Sequence, residues 1–357
     1  MAQDIVIRVL LLPIALLYGL AVTVRNALYR SGVLRSVSFD LPVISVGNLS
    51  VGGAGKSPHI AWLAAWLHEY INPAVLSRGY GRDTFGYRNV SLADTAREAG
   101  DEPIQFKRRF PAIPTCVSES RALGIPELLR NYPDTQCVLL DDAFQHLAVK
   151  PGLNILLTEY SRPFTRDWLL PAGRLREWRN AYRRADLIIV TKCPGDLSQS
   201  QRVAMTREID PYPKQKIFFS TYDYGRMYRL GHPDQLAPER DYIDTEALLI
   251  SAIANTDFLL RHLANEFKAV QTLEFEDHHY YAAEDILELK RRFSFLTGPS
   301  KMIVTTEKDA TRLELHQELI ALHGLEIWVL PIAVRFLDDD EAAFKREIQA
   351  FLLGFKA

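Results

Sequence analysis

Residues 41–71 read LPVISVGNLSVGGAGKSPHIAWLAAWLHEYI. The first part, LPVISVGNL (41–49), has the pattern of a short buried strand, because Val43, Ile44 and Val46 are β-branched and turn residues follow. The last part, HIAWLAAWLHEYI (59–71), spaces Trp62, Leu63, Trp66, Leu67 and Tyr70 at threes and fours, which predicts an amphipathic helix. Between them stands Gly52-Gly53-Ala54-Gly55-Lys56-Ser57. Glycines let backbone N–H groups close around phosphate oxygens, and the N-terminus of the following helix adds the positive end of its dipole. Lys56 is placed to reach the terminal phosphates of a nucleotide, and the Ser57 hydroxyl to ligate Mg²⁺. The full phosphate-loop pattern has a glycine where this chain has Ser50. The extra lysine of the deviant branch of these ATPases would fall at Val51, which argues against that branch.

Further strands are expected at PAVLS (73–77), QCVLLDD (136–142), LNILLT (153–158) and ADLIIVTK (185–192). Strands alternating with helical stretches indicate a parallel, doubly wound sheet. Beyond about 221 the pattern restarts with EALLISAI (246–253), FKAVQTLEF (267–275), MIVTTEKD (302–309) and IWVLPIAV (327–334), and a helix over 340–355 closes the chain. The fold class is therefore α/β, a P-loop NTPase-like parallel sheet core with a second, smaller α/β domain. The expected divisions are an N-terminal helix in 1–35, the core in 36–220 and the smaller domain in 221–357.

Composition narrows the function. The 357 residues carry 42 Lys plus Arg against 44 Asp plus Glu, a net charge of -2, which argues against a general nucleic-acid binder. Three scattered cysteines, Cys116, Cys137 and Cys193, contain no CxxC pair and read as reduced thiols. One segment departs from the average. Val9 to Val24 (VLLLPIALLYGLAVTV) is apolar but for Pro13, Gly19 and Thr23, with Arg8 before it and Arg25, Arg30 and Arg35 after it. That run is short for a helix that must cross a bilayer, which takes about 20 residues. It suits a membrane-associated helix lying partly inserted, its arginines at anionic headgroups; a buried core helix is the alternative.

Several islands carry chemistry. Asp141-Asp142 close an apolar strand, where one carboxylate can hold Mg²⁺ directly or through water. Gln145 and His146 follow, able to orient a water or a substrate group. Gly100-Asp101-Glu102-Pro103 sets two acids at the start of a helix, and Asp277-His278-His279-Tyr280 lies after a strand of the second domain. An Asp and a His brought together across the interdomain cleft would make a base and its orienter. Residues 162–184 hold seven arginines against Asp167 and Glu177, an anion-seeking patch within a neutral chain.

The set SVGNLSVGGAGKSP, LSRGYGR, GDEP, LLDDAFQH, LLPAGRLRE, EDHHYY and TTEKDATRL, in this order behind an apolar N-terminus, resembles the tetraacyldisaccharide 4'-kinase (lipid A 4'-kinase) family over nearly the whole chain. Ser57 stands where threonine is commoner in that family. The resemblance implies a membrane-associated P-loop kinase, a transferase of lipid A and lipopolysaccharide biosynthesis, with two α/β/α lobes joined by a short β hinge. It implies transfer of the γ-phosphoryl of ATP, with Mg²⁺, to the 4'-hydroxyl of a tetraacylated glucosamine disaccharide 1-phosphate at the cytoplasmic face of the bacterial inner membrane. No obligate protein partner is expected. By the same resemblance Gly52, Gly53, Ala54, Gly55, Lys56 and Ser57 hold the nucleotide, and Ser57, Asp141 and Asp142 handle the metal with Glu177 nearby. Asp101 is the base with His278 its partner, and Arg78, Arg121 and Arg176 are candidate phosphate contacts. A membrane-associated P-loop ATPase or GTPase switch acting on a protein partner is the alternative; it has no need of Asp101 or His278.

Overall fold

The computed structural model describes residues 2–239 and 241–355. Its first half runs α1 (Ala2–Arg30), β1 (Val43–Asn48), α2 (Lys56–His68), β2 (Pro73–Ser77), β3 (Arg88–Asn89), α3 (Ala96–Ala99), α4 (Asp101–Arg109), β4 (Thr115–Val117), α5 (Arg121–Asn131), β5 (Cys137–Asp141), β6 (Leu153–Glu159), β7 (Leu187–Thr191), α6 (Gln199–Ile209) and β8 (Lys216–Tyr224). There follow β9 (Tyr228–Arg229), β10 (His232–Leu236), β11 (Thr245–Ser251), α7 (Asp257–Glu266), β12 (Ala269–Glu274), α8 (Ala283–Ser294), β13 (Ser300–Thr306), α9 (Glu307–Leu313), α10 (Gln317–Leu322), β14 (Ile327–Leu330), β15 (Ile332–Phe336) and α11 (Asp340–Gly354).

Among the described residues the strands form two sheets, ordered β15-β8-β7-β6-β1-β5-β2-β4-β3 and β10-β9-β14-β13-β11-β12. In the larger sheet β1 lies at the centre, parallel to β5 and β6, and Val46 sits level with Asp141. The phosphate loop and the Asp141-Asp142 pair therefore leave the sheet side by side at its carboxyl edge, where open α/β sheets bind ligands. All residues of β1, β2, β5 and β7 are buried, as strands covered on both faces must be.

Three elements differ from their sequence reading. IWVLPIAV (327–334) is two strands, because Pro331 has no N–H to donate to a ladder: β14 pairs with β13 in the smaller sheet, and β15 turns back to pair antiparallel with β8 in the larger one. The smaller sheet is thus built from 228–330. The closing helix α11 belongs to the larger lobe, where Phe344 and Ile348 enter the core that holds Trp66 and Phe336. The covering by α11 explains the second difference: α2 is buried on nearly every face, with Trp62 packed 5.8 Å from the Phe344 ring. The chain crosses between lobes at 224–228 and 330–332, and the Gly225 N–H donates to Pro331 O at 3.0 Å, making a short two-stranded hinge.

The third is α1, whose 29 residues extend well past the apolar run. Arg8–Arg30 is long and apolar enough to cross a membrane by length and composition alone, with mean hydropathy 1.8. Leu11, Ala15 and Tyr18 pack against the larger lobe at helical spacing, and Val22 on the same face is buried. Val9, Leu10, Ile14, Leu17 and Leu20 face outward at 54–71% exposure, which rules out a buried core helix. Tyr18 Oη donates to Arg176 O at 2.8 Å, and Trp178 Nε1 donates to Gly19 O at 3.1 Å, fixing the helix to the segment that precedes β7. Gly19 is required there, since a Cβ would fall 2.5 Å from the Trp178 ring.

Candidate active site

One cleft of about 840 Å³ lies between the lobes, lined by the phosphate loop, Asp101, Asp141, Asp142 and Arg121 from the larger lobe and by His278 and Lys308 from the smaller one. Gly52 and Gly55 have φ of 104° and 86°, the left-handed region that glycine enters without strain. A Cβ on Gly55 would also lie 2.0 Å from Tyr222 Oη. No side chain caps α2, so its first N–H groups are left to an anion.

Lys56 Nζ donates to Asn48 Oδ1 at 3.2 Å and lies 3.7 Å from Asp142 Oδ2. Asp142 (φ 46°) accepts both its arginine contacts from Arg176 Nη1, at 2.9 and 3.0 Å. Burial would raise its pKa, but Lys56 and Arg176 hold it below the usual carboxylate range. Asp141 is the opposite case. Burial, with Glu102 and Asp142 adding repulsion, pushes it up to about 7, and its Oδ1 is buried without a hydrogen-bond partner. An orphaned carboxylate oxygen that resists ionisation next to a second carboxylate, in the cleft that Ser57 also lines, fits Mg²⁺. Among the described residues no three His, Cys, Asp or Glu side chains converge on a metal position.

Glu177, expected near the metal, is elsewhere. Its carboxylate is fully buried, paired with Arg184 at 2.9 and 3.0 Å and accepting from Asn26 Nδ2 at 2.9 Å, so it ties α1 to the core. Gln145 spans the site, donating to Asn48 O at 2.8 Å and accepting from Arg176 Nη1 at 3.3 Å. Arg121 is buried, with Nη2 on Asp141 O at 2.8 Å; burial lowers its pKa to about 10. His146 Nε2 accepts the Arg121 backbone N–H at 3.2 Å, and burial with Arg121 and Arg78 pushes its pKa down to about 4, leaving it neutral. Arg78 stands exposed on the cleft wall.

Asp101 and His278, from different lobes, meet: Asp101 Oδ2 accepts from His278 Nδ1 at 3.0 Å. The same oxygen accepts from Arg312 Nη1 at 3.0 Å, and Lys308 Nζ lies 3.1 Å from His278 Nε2. Burial would raise the Asp101 pKa, yet His278, Lys308 and Arg312 hold it low, so a nearly inaccessible carboxyl stays ionised. Arg312 had no distinguishing mark in TTEKDATRL; only the fold shows that a buried guanidinium there reaches across to Asp101.

A phosphate cradle and an ionised carboxylate facing one cleft can position a nucleotide against an acceptor hydroxyl. This fold and site define the chain as a P-loop phosphotransferase. It belongs to the tetraacyldisaccharide 4'-kinase family: the family described as Tetraacyldisaccharide-1-P 4'-kinase matches residues 7–353. It is 43% identical over 351 residues to the Tetraacyldisaccharide 4'-kinase of Bacteroides thetaiotaomicron, across 96% of this chain and 92% of that one. With the enzyme of the same description from Porphyromonas gingivalis it shares 40% over 337 residues, covering 93% and 94%. It is also similar to the crystal structure of LpxK from Aquifex aeolicus in complex with ATP, with TM-score 0.72, 28% identity, and 97% and 99% of the two chains covered.

Proposed function

We propose that this chain is an ATP-dependent kinase that phosphorylates the 4'-hydroxyl of a tetraacyldisaccharide 1-phosphate, with Asp101 as the base. The observation that carries the reading is the approach of Asp101 and His278, 3.0 Å apart across the lobes, within the cleft that holds the phosphate loop. The loop amides and Lys56 hold the β- and γ-phosphates, and Asp101 takes the hydroxyl proton as the acceptor oxygen attacks phosphorus in line. Ser57, Asp141 and Asp142 would hold Mg²⁺, which when bound neutralises charge developing on the phosphate oxygens. Arg78, Arg121, Gln145, His146 and Arg176 converge on the remaining cleft wall as contacts for the disaccharide and its 1-phosphate. The closed lobes keep water from the phosphoryl group.

The exposed face of α1 embeds in the cytoplasmic leaflet of the inner membrane, with exposed Arg30 toward anionic headgroups; the expected arginine patch of 162–184 is largely taken up within the protein, Arg166 by Glu208, Arg174 by Asp167, Arg176 by Asp142 and Arg184 by Glu177. A nucleotide switch acting on a protein partner is disfavoured, because it leaves the organised Asp101, His278 and Arg312 contacts without a task. Incubation of purified protein with γ-labelled ATP, Mg²⁺ and the disaccharide lipid tests the proposal. Label enters the lipid if it holds; label found only as free phosphate supports the switch.

A further inference from the structure

Lys56 is not alone at the phosphate loop. Lys192, the residue after β7, lines the same cleft beside Gly52 and Gly53, with its side chain only 13% exposed. A Cβ on Gly53 would stand 3.8 Å from Lys192 Nζ, so the ammonium lies against the loop backbone. Val51 leaves no lysine at the head of the loop, and the end of β7 supplies one from the side.

The placement is held from several directions. Thr191 Oγ1 donates to Ala54 O at 3.0 Å, which ties the end of β7 to the loop, and the next residue, Lys192, takes φ 55°. Residues other than glycine enter that region at a cost, and such residues gather at ligand sites. Lys192 Nζ pairs with Glu159, the last residue of β6, whose carboxylate is almost fully buried. Arg162 and Arg174 line the recess behind the loop with Glu159, but Arg174 is held by Asp167 at 2.9 Å and Arg162 stands 3.9 Å from Asp257. An ammonium has three donors, and the Glu159 contact uses one.

Strand order decides which part of a nucleotide meets the other donors. β1, which leads into the loop, lies between β5 and β6, and β7 and β8 follow on the β6 side. These five strands are parallel, so their carboxyl ends share one edge. Asp141 and Asp142 stand at the end of β5, while Lys192 and Tyr222 stand on the opposite side of the loop, after β7 and within β8. A nucleotide whose β-phosphate sits in the loop and whose γ-phosphate points to Asp141 and Asp142 must run its α-phosphate and ribose the other way, over β6 and β7. Beyond Lys192 the cleft wall is aromatic, with Tyr222, Tyr224 and Phe258. That wall suits a flat base, which leaves the ammonium to the atoms between base and β-phosphate.

We propose that Lys192 is a nucleotide-binding residue whose ammonium, shared with Glu159, holds the α-phosphate and ribose. It contributes to ATP and ADP alike. Glu159 sets the strength: paired, the two side chains bring little net charge to the loop, whereas loss of the carboxylate leaves a bare cation and loss of the ammonium leaves a bare anion. The two single substitutions therefore move nucleotide affinity in opposite directions. An ion pair that served only to join β6 to β7 would move it the same way from either end, or not at all. The inference rests on the loop being the β-phosphate site.

The experiment titrates the full chain with ADP and with ATP by calorimetry, each with Mg²⁺ and without lipid. Lys192→Met should weaken both nucleotides by the same factor, about 10–100-fold, as loss of a hydrogen bond to a charged group does. In turnover with the lipid acceptor, kcat/KM for ATP should fall in step while KM for the lipid stays put. Glu159→Gln should tighten both nucleotides. A loss confined to ATP overturns the inference, since it would make Lys192 a γ-phosphate contact. So does unchanged or weaker binding in Glu159→Gln, which would make the pair structural and decides the matter even if Lys192→Met fails to fold. ADP binding undiminished in Lys56→Ala would instead remove the loop reading beneath it, whichever way the Glu159 variant moves.

Discussion

His59 lies under the phosphate loop, its Nδ1 2.7 Å from Gly55 O and its Nε2 3.0 Å from Ser220 Oγ, so it couples the loop to β8. Burial pushes its pKa from 6.5 down to about 4. The folded state therefore binds a proton less readily than the unfolded chain. Stability from this group is complete above pH 6.5 and falls as pH drops toward 4, by about 3 kcal/mol at the lower end. Urea unfolding of wild type and His59→Gln across that window should show a shallower pH dependence in the variant. Lys56, Ser57 and the Asp141-Asp142 pair were legible in the sequence because each stands at a fixed distance from the end of a strand or helix. Glu177 was not. Its neighbours in sequence are basic, but the partners that claim it are Arg184, brought back by the turn that precedes β7, and Asn26, brought by the docking of α1.

At the scale of elements, strands buried on both faces announced themselves as runs of apolar residues, and their order of appearance gave the parallel core. What local pattern could not show was partnership between distant segments. The face of α2 that reads as solvent-exposed is covered by α11, and the single apolar stretch of 327–334 serves two sheets because Pro331 interrupts it. The N-cap of α9 matters to the site as well as to the helix. Thr306 Oγ1 accepts the Asp309 N–H at 3.1 Å and donates to Asp309 Oδ2 at 2.7 Å, and the helix it starts carries Lys308 and Arg312. Thr306→Ala should cost about 1 kcal/mol of stability, measured by urea titration, as a lost cap does. The outward face of α1 gives a second test. Deletion of 1–30 should move the protein from the membrane fraction to the soluble fraction, and retention in the membrane would contradict the assignment of α1 as anchor.

Across the whole molecule, the proposed chemistry depends on two lobes meeting. Asp101 belongs to the larger and His278, Lys308 and Arg312 to the smaller, and a hinge of two strand connections holds them together. Arg312 is fully buried between Asp101 and Asp309, and such a pair broken on one side leaves an uncompensated charge. The sequence suggested that an Asp and a His would meet across the cleft, because GDEP and DHH fall in different units. It could not show the cations that surround them, since nothing local marks a lysine and an arginine at the two ends of the short helix α9 as buried against another lobe. The most direct test of the central claim is the single-turnover rate of phosphoryl transfer to the disaccharide lipid in Asp101→Ala at matched ATP occupancy. Loss of a general base predicts a rate lower by about 10²–10⁴-fold with ATP binding retained. A rate close to that of the wild type would contradict it.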